Sequence, residues 1–486
     1  MESCLFSSMH RRLTATALPL AIPVLLAACA VVGPEHEVPV VATGSGWTSP
    51  AQGHVDTAAL ATWWKSFGDA DLERVVEQTL ANNLDLRQAD LAIEAARAQL
   101  GRAEVNTMPV VTAKGSAQRY RTSLNSPEYN PQRSLNQTVY DAGLDASWEI
   151  DLFGSLRRQR ESAQAAVQMS EADATALRTS LAAETARTYF TLRGAQRELV
   201  ARQASAKALQ DIFALVQKRQ QAGDLSTAEV ERAQARLDQA RALLPDIEAR
   251  REAAAIALGL LTGGLPESQR SLTTSPGSDL VLHAIPVGER ADILRRRPDI
   301  ASAERKLAAA TADTGAATAE LFPKLTISAS AGFRALSDFD LIDSDSRRSS
   351  LLPLISWRIF DGGRVRAEIR AAEARQKSAA IGYEKAVLAA LSDAEKALSQ
   401  YQHALQTIAA QETAIASTAR AAKTTHRRYE LGDVSLADAL DADRELADQQ
   451  TGLALSRASA ASDMVTLYKA LGGGWEKDPD RGERSN

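Results

Sequence analysis

The chain has 486 residues, of which 45% are hydrophobic and 24% are charged, and its formal net charge is −5. A chain of this composition forms a large folded body of roughly two to four domains and is not disordered. The mildly acidic balance gives no basic face for phosphate groups, which excludes nucleic acid as a partner.

The first 28 residues are predicted to be a lipoprotein signal peptide. Two arginines precede an apolar stretch from Leu13 to Ala28, which is shorter than the roughly 20 residues of a membrane-spanning helix. Small residues come directly before Cys29, as in a bacterial lipobox, and Ala30 after it favours sorting to the outer membrane. An ordinary cleaved signal and a buried N-terminal helix are the alternatives. Acylation and cleavage at Cys29 would remove Cys4 with the signal, so no disulfide is expected.

Alternation of apolar and polar residues predicts four β-strands. It is strongest at 140–152 and 325–335 and weaker at 111–118 and 355–359. Strands of about ten residues, paired as two hairpins, are long enough to cross a bilayer when tilted. A small sheet in a soluble domain is the alternative. Trp148 and Trp357 end equivalent strands and are predicted membrane-interface aromatics.

Two long helical blocks follow the hairpins. Proline is missing between Pro131 and Pro245 and again between Pro353 and Pro479. Helices over 155–222 and 364–431 would each be roughly 100 Å long, and each would be followed by a Gly-Asp turn and a returning helix. Apolar residues spaced three and four apart predict coiled-coil packing. Pro245 should bend or bulge the first returning helix.

The two halves of the chain are predicted to be a tandem duplication. Ser147-Trp148 recurs as Ser356-Trp357, and Gly223-Asp224 recurs as Gly432-Asp433. Both recurrences have an offset of 209 residues. Pro109 matches Pro323 with an offset of 214, so the length difference lies within the hairpins, where a loop is expected.

Several blocks together resemble the outer membrane efflux protein family of TolC/OprM type, in its lipoprotein branch. They are 145–154, 294–300 with 303–305, 321–323, and Trp357 with 360–363, and the resemblance covers nearly the whole mature chain. It implies a mainly α fold with a transmembrane β-hairpin pair, built as a duplicated helix-hairpin-helix-helix repeat in a TolC-like α/β barrel. The implied homotrimer has a barrel of 12 strands, four from each copy, and a long periplasmic coiled-coil helical tunnel.

The resemblance implies the following division of the chain. It gives a signal peptide at 1–28, a lipid-anchored extended segment on the equatorial girdle at 29–68, a first repeat at 69–264, a linker at 265–290, a second repeat at 291–472 and a flexible tail at 473–486. The first repeat has a hairpin at about 109–152 and helices at about 155–222 and 226–262. The second has a hairpin at about 323–360 and helices at about 364–431 and 435–471.

The resemblance implies an outer-membrane channel subunit of a tripartite efflux pump. Its partners would be identical copies, outer-membrane lipid, a periplasmic adaptor and a proton-driven inner-membrane pump of RND type. No metal-ligand spacing, phosphate loop or nucleophile elbow is present in the sequence, so neither an enzyme nor a cofactor is expected. A secretion or oligosaccharide-export duct and a lipid-anchored coiled-coil scaffold without conductance are the alternatives.

A periplasmic gate is predicted after the second Gly-Asp turn. Asp438, Asp441 and Glu445 are three and four residues apart, so they share a helix face. Asp441 and Arg444 match positions that help to constrict the channel in OprM-type proteins, and three copies of Asp441 would form an acidic ring. An ordinary charged coiled-coil surface is the alternative. The resemblance also implies that the two turns, Gly223-Asp224 and Gly432-Asp433, contact the adaptor.

Overall fold

A computed structural model describes residues 31–44, 46–48, 56–127, 129–275 and 280–475 of the chain. These residues form two compact units. The sheet unit takes its described residues from Met1–Pro39, Ile93–Ser170 and Ala303–Tyr383, and the helical unit takes them from Val40–Ala92, Glu171–Ser302 and Glu384–Asn486.

The sheet unit contains one antiparallel sheet of four strands, in the order β1-β2-β3-β4. The strands are β1 (Val110–Arg121), β2 (Asn136–Ile150), β3 (Lys324–Ala335) and β4 (Arg347–Ser356). Both predicted hairpins are confirmed, since β1 pairs with β2 and β3 pairs with β4. The sequence did not reveal that β2 also pairs with β3, from Tyr140 opposite Ala335 to Ile150 opposite Leu325.

Helices make up most of the described chain. In chain order they are α1 (Thr57–Ala61), α2 (Ala70–Asn82), α3 (Leu84–Val105), α4 (Ser155–Gln221), α5 (Thr227–Ala242), α6 (Leu244–Leu261), α7 (Arg290–Arg296), α8 (Pro298–Ala319), α9 (Arg364–Glu430) and α10 (Leu436–Ala470). Short 3₁₀ helices cover Trp63–Phe67, Arg270–Thr273 and Ser344–Ser346.

Several equivalent elements of the two halves have equal lengths. Helices α3 and α8 have 22 residues each, β1 and β3 have 12, and α4 and α9 have 67. Helix α10 has 35 residues, and α5 with α6 occupies the equivalent stretch 209 positions earlier. The first β-hairpin loop runs from 122 to 135 and the second from 336 to 346. The halves therefore differ in length within the hairpins, as the two offsets predict.

The predicted distortion at Pro245 is confirmed as a break between two helices. Helix α5 ends at Ala242, and α6 begins at Leu244 with proline in its first turn. Proline lacks the N–H that would continue the preceding helix, but it fits the first turn of a new one. The equivalent position in the second half is Ala454, and α10 continues through it without a break.

Aromatic side chains form the core of the helical unit near its first helices. Trp63 is fully buried and stacks on Tyr468, with 5.6 Å between ring centroids. Phe67 packs on Phe190 at 4.9 Å. The apolar positions spaced three and four apart are also largely buried, including Leu237 and Ile247 in the first half. The spacing therefore predicted correctly which helix faces pack inward.

Residues directly before α3 and α8 have equivalent roles in the helical unit. The side-chain amide of Asn83 donates to the carbonyl of Leu261, the last residue of α6, at 2.9 Å. At the equivalent position Arg297 donates to the carbonyl of Ala470, the last residue of α10, at 3.5 Å. Each side chain satisfies a helix-end carbonyl that has no partner within its own helix.

Arg297 makes further contacts that explain one of the three consecutive arginines. Its guanidinium forms a bidentate ion pair with Asp299, with hydrogen bonds of 3.0 and 2.7 Å. It also donates a longer hydrogen bond of 3.5 Å to Asp393. Burial opposes its charge, but the hydrogen bond from Arg297 to Asp299 and the charge of Asp393 outweigh burial and raise its pKa. Arg295 is exposed, and Arg296 is 3.8 Å from Asp292 one turn earlier. Of the three arginines, Arg297 is the one that joins several elements.

The N-terminal segment after residue 30 packs on the sheet unit through two glycines and a buried arginine. Gly33 has a positive φ of 95°, and a Cβ there would collide with the backbone of Gly315. Arg158, whose side chain is 3% exposed, pairs with Glu35 at 2.6 Å and with Glu161 at 2.7 Å. The hydrogen bond from Arg158 lowers the pKa of Glu35.

We expect Arg297→Ala to lower the free energy of unfolding by about 2 kcal/mol, because it leaves Asp299 and a helix-end carbonyl without their partner. Thermal unfolding of the detergent-solubilised protein, followed by helical circular dichroism, measures the change. Arg295→Ala is the matched control and should have a midpoint close to that of the unmodified protein. Equal midpoints for both variants would contradict the joining role of Arg297.

Candidate functional site

The two predicted tip turns, Gly223-Asp224 and Gly432-Asp433, have nearly the same geometry in the helical unit. Gly223 and Gly432 have φ values of 85° and 80°, which favour glycine. The backbone N–H of Asp224 donates to the Arg219 carbonyl at 2.9 Å, and Asp433 donates in the same way to Arg428 at 2.9 Å. A Cβ at either glycine would meet no atom within 4 Å. Both turns are therefore open, and their glycines are required by backbone conformation alone.

A capping box follows each turn and starts the returning helix. In α10 the Asp438 carboxylate accepts from the backbone N–H and the hydroxyl of Ser435, at 2.9 and 2.6 Å. In α5 the Glu229 carboxylate accepts from the same groups of Ser226, at 2.9 and 3.2 Å. Glu229 and Asp438 are 209 residues apart, so both halves use an acidic residue here for the same purpose.

The capping box favours the ionised form of the Asp438 carboxylate and fixes its orientation. Its hydrogen bonds from Ser435 lower the pKa of Asp438. Both hydrogen bonds from Ser435 hold the Asp438 side chain at the start of its own helix. Of the predicted gate residues, Asp438 is thus the one with a local structural role.

The other predicted gate residues have looser contacts on α10. Asp441 is 3.7 Å from the guanidinium of Arg236 on α5, and both side chains are about half exposed, at 53% and 43%. Glu445 accepts from Gln449 one turn further along α10, at 3.3 Å. Arg444 is exposed. The pair of Asp441 and Arg236 joins the two helical hairpins, but an exposed pair of this kind contributes only about 0 to 1 kcal/mol.

Three neighbouring contacts were missed by sequence reasoning. Besides Arg236 with Asp441, Asp448 on α10 pairs with Arg202 on α4 at 2.7 Å, and Asp443 pairs with His426 on α9 at 2.8 Å. For the pair of Arg236 and Asp441, a signal was present in the duplication. Arg232 and Arg236 are basic at the positions where the second half has Asp441 and Glu445. Opposite charges at equivalent positions indicate that the two returning helices attract each other.

The predicted interface tryptophans make equivalent hydrogen bonds in the two halves of the sheet unit. The indole N–H of Trp148 donates to the Thr107 carbonyl at 2.8 Å, and that of Trp357 donates to the Leu321 carbonyl at 2.9 Å. Both acceptors are two residues before the matched prolines. The rings are 39% and 58% exposed, so each has its polar atom bonded while much of its surface remains open.

The predicted lipidation residue, Cys29, lies outside the described residues. The chain directly after it is held on the sheet unit, because the Val32 N–H donates to the Phe153 carbonyl at 3.2 Å. Gly154 has a positive φ of 85°, and a Cβ there would lie 2.7 Å from the Val31 side chain. The segment that would follow an acyl anchor is thus fixed at the junction between β2 and α4.

The described part of the chain has neither a metal-binding cluster nor a membrane-spanning helix. His, Cys, Asp and Glu side chains within the described ranges do not gather in groups of three or more that could hold a metal ion. Among those same residues, no helix has both the length and the apolar character needed to cross a membrane.

Comparison with known proteins gives consistent matches over nearly the whole chain. The family model described as "Outer membrane efflux protein" matches residues 75–264 and 290–473. The outer membrane protein OprJ of Pseudomonas aeruginosa is 33% identical over 94% of this chain and 95% of its own length. The pyoverdine export outer membrane protein OpmQ of Pseudomonas putida is 33% identical over 95% of this chain and 97% of its own.

A solved structure shows the same fold. The outer-membrane channel OprN superposes with a TM-score of 0.82 at 36% identity, covering 91% of this chain and 99% of that one. The expectation of a mainly α, TolC-like chain fold with two β-hairpins is confirmed at the level of the single chain.

We expect Ser435→Ala to destabilise the start of α10 by about 1 kcal/mol, because it removes the capping hydroxyl. Thermal unfolding measures the loss. Ser417→Ala, at an exposed position within α9, is the control and should be neutral, since a hydroxyl bonded to its own helix adds little there.

The same cap predicts a pH dependence with a defined sign. In the folded protein the pKa of Asp438 lies below its ordinary value of 3.8. The ionised carboxylate therefore contributes fully to the free energy of unfolding above pH 3.8, and this contribution is lost as the pH falls through the lowered pKa. Ser435→Ala should reduce this acid-side loss of stability. An identical acid dependence in the variant would contradict the role of the Ser435 hydrogen bonds.

Proposed function

Because the chain belongs to the outer membrane efflux protein family, we propose that it is the outer-membrane channel subunit of a tripartite efflux pump. In this proposal it is a passive duct through which drugs and small solutes leave the cell. It performs no catalysis, and an inner-membrane proton-driven transporter of RND type supplies the energy. A periplasmic adaptor links that transporter to the helical end of the duct.

The observation that supports this function most directly is the incomplete sheet. The four strands pair in the order β1-β2-β3-β4, so within the described chain β1 and β4 each have one edge without a partner strand. Backbone N–H and C=O groups left unpaired in lipid cost several kcal/mol each. Identical neighbours remove that cost by pairing β1 of one copy with β4 of the next.

Three copies give a barrel of suitable width. Four strands per copy make 12 in a homotrimer, which is wider than the roughly 8 strands whose interior is filled by side chains. The same threefold arrangement would gather the 67-residue helices α4 and α9 into a tunnel roughly 100 Å long. Their buried positions three and four apart support coiled-coil packing of that tunnel.

Each segment of the chain has its own role in the proposed trimer. The repeats at 69–264 and 291–472 each supply one hairpin and one pair of long helices, and 265–290 links them. Trp148 and Trp357, with their indole N–H groups bonded and their rings exposed, are suited to the lipid-water interface. The segment 29–68 anchors the chain through acylated Cys29, and 473–486 forms the tail.

The gate lies on α10, and the tip turns meet the adaptor. Three copies of Asp441 form an acidic ring, with Arg444 and Glu445 one turn away. The pair between Asp441 and Arg236 is exposed and 3.7 Å long, so it is weak enough for a partner to open. Asp438 supports the gate by capping α10. The turns at Gly223-Asp224 and Gly432-Asp433 are open, which suits a docking surface for the adaptor.

Recording from the purified mature protein in planar bilayers tests this function. We expect discrete single-channel currents and a native mass of three chains. Asp441→Ala and Arg444→Ala should each raise the conductance, because they weaken the constriction. Asp443→Ala is the matched control, since Asp443 pairs with His426 of its own hairpin, and it should leave the conductance unchanged.

Three outcomes of the recordings are informative. A membrane-bound protein without currents would indicate a scaffold and refute the channel function. Currents that respond equally to Asp441→Ala and Asp443→Ala would refute the gate alone. Currents with unchanged conductance in both Asp441→Ala and Arg444→Ala would do the same.

The lipid anchor makes a separate prediction. Cys29→Ala should abolish incorporation of radioactive palmitate into the protein and prevent cleavage of the signal, because the thiol is the acylation site. Cys4→Ala is the matched control and should be labelled normally. Labelling of the Cys29→Ala protein would disprove the proposed anchor.

A further inference from the structure

One row of residues across the sheet has glycines at its centre and basic residues at its ends. Lys114 on β1 is opposite Gly143 on β2, Gly143 is opposite Gly332 on β3, and Gly332 is opposite Arg348 on β4. A Cβ at Gly143 would lie 2.7 Å from the Ala331 carbonyl oxygen and 3.0 Å from the Gly332 Cα. The two inner strands are therefore too close at this row for any side chain.

The basic residues at the ends of the row pair with carboxylates on β2. The Lys114 ammonium is 2.9 Å from Asp145. The Arg348 guanidinium donates to one oxygen of Asp141 at 2.6 Å, and Arg334 donates to the other at 2.8 Å. To reach Asp141 from β4, the Arg348 side chain has to cross β3, and the missing side chain at Gly332 leaves room for it.

All five charged residues are on the same face of the sheet. They occupy alternate positions of their strands, in register with one another, and side chains alternate between faces along a strand. The other face is mainly apolar and includes the following residues: Val111, Leu144, Trp148, Ile327, Phe333, Leu351 and Ile355. In a transmembrane barrel the apolar face contacts lipid and the polar face lines the interior. Given the proposed channel function, the charged row faces the lumen.

The charges on this row do not balance. Lys114 and Asp145 form one pair, but Asp141 alone serves two arginines. Each chain therefore adds one excess positive charge. In the proposed trimer, three such charges surround the lumen of the barrel. Guanidinium groups bind carboxylate and phosphate groups through two parallel hydrogen bonds, so the excess charge has a defined ligand chemistry.

We propose that Lys114, Asp141, Asp145, Arg334 and Arg348 form a lumenal selectivity site that favours solutes carrying an anionic group. The proposal rests on the proposed channel function and adds a substrate preference to it. Asp141 is the residue that limits the preference, because it partly neutralises both arginines. The site has an excess of positive charge, whereas the ring of Asp441 is negative. The barrel therefore favours anionic solutes and the gate favours cationic ones.

Reversal potentials in a potassium chloride gradient test the site in the full-length mature protein. Asp141→Asn should raise the chloride-to-potassium permeability ratio, and Arg348→Gln should lower it. Each change should be at least about twofold, the Boltzmann factor for one unit charge about 10 Å away across water. Arg347→Gln is the matched control, because it removes the same charge from the adjacent position, on the opposite face.

The outcomes separate this site from the channel function. Opposite shifts for Asp141→Asn and Arg348→Gln, with no shift for Arg347→Gln, would support the site. Normal currents with unchanged ratios in the first two variants would overturn it and leave the channel function intact, whereas currents missing from the unmodified protein would refute both. Arg334→Gln should reproduce the Arg348→Gln shift, so the test remains decisive if one variant does not assemble.

Discussion

Backbone hydrogen bonding at the edges of the four-stranded sheet constrains this protein more than any other interaction. The sheet has internal partners for β2 and β3 on both sides, but β1 and β4 each have one open edge within the described chain. In water such an edge could be solvated, whereas in lipid it has to pair with another strand. Membership of an outer membrane efflux family makes the lipid environment relevant, and the proposed pairing of these edges between identical copies would satisfy their backbone groups.

The tandem duplication supplies the symmetry, and the differences between its halves supply the specialised residues. Several elements of the two halves agree in length, among them the 22-residue helices and the 67-residue helices. Structural roles are repeated too, since both returning helices start with a capping box and both tryptophans bond a carbonyl two residues before a proline. The charges at 232 and 441, and at 236 and 445, are opposite instead. That difference is accompanied by one ion pair between the two hairpins, in which Arg236 is 3.7 Å from Asp441.

Buried and exposed ion pairs have different roles in this protein. Arg158 and Arg297, with side chains 3% and 12% exposed, have several partners each and hold backbone segments together. The pair of Asp441 and Arg236 is exposed, single and long. Charges taken out of water need full compensation, which makes the buried groups structural. Exposed pairs exchange readily with water, which agrees with the opening proposed for the gate.

Much of this architecture could be read from local pattern. The alternation of polar and apolar residues located the strands, proline-free stretches located the long helices, and Pro245 located the break between α5 and α6, because each of these depends on neighbouring residues in the chain. The capping role of Asp438 was also encoded locally, in Ser435 three residues before it. Contacts between distant segments could not be read in this way. The pairing of β2 with β3, the carbonyl bonded by Arg297 and the reach of Arg348 across Gly332 to Asp141 all join residues far apart in the chain. A side chain's partners at such separations depend on how the elements pack, and neither spacing nor composition specifies that packing.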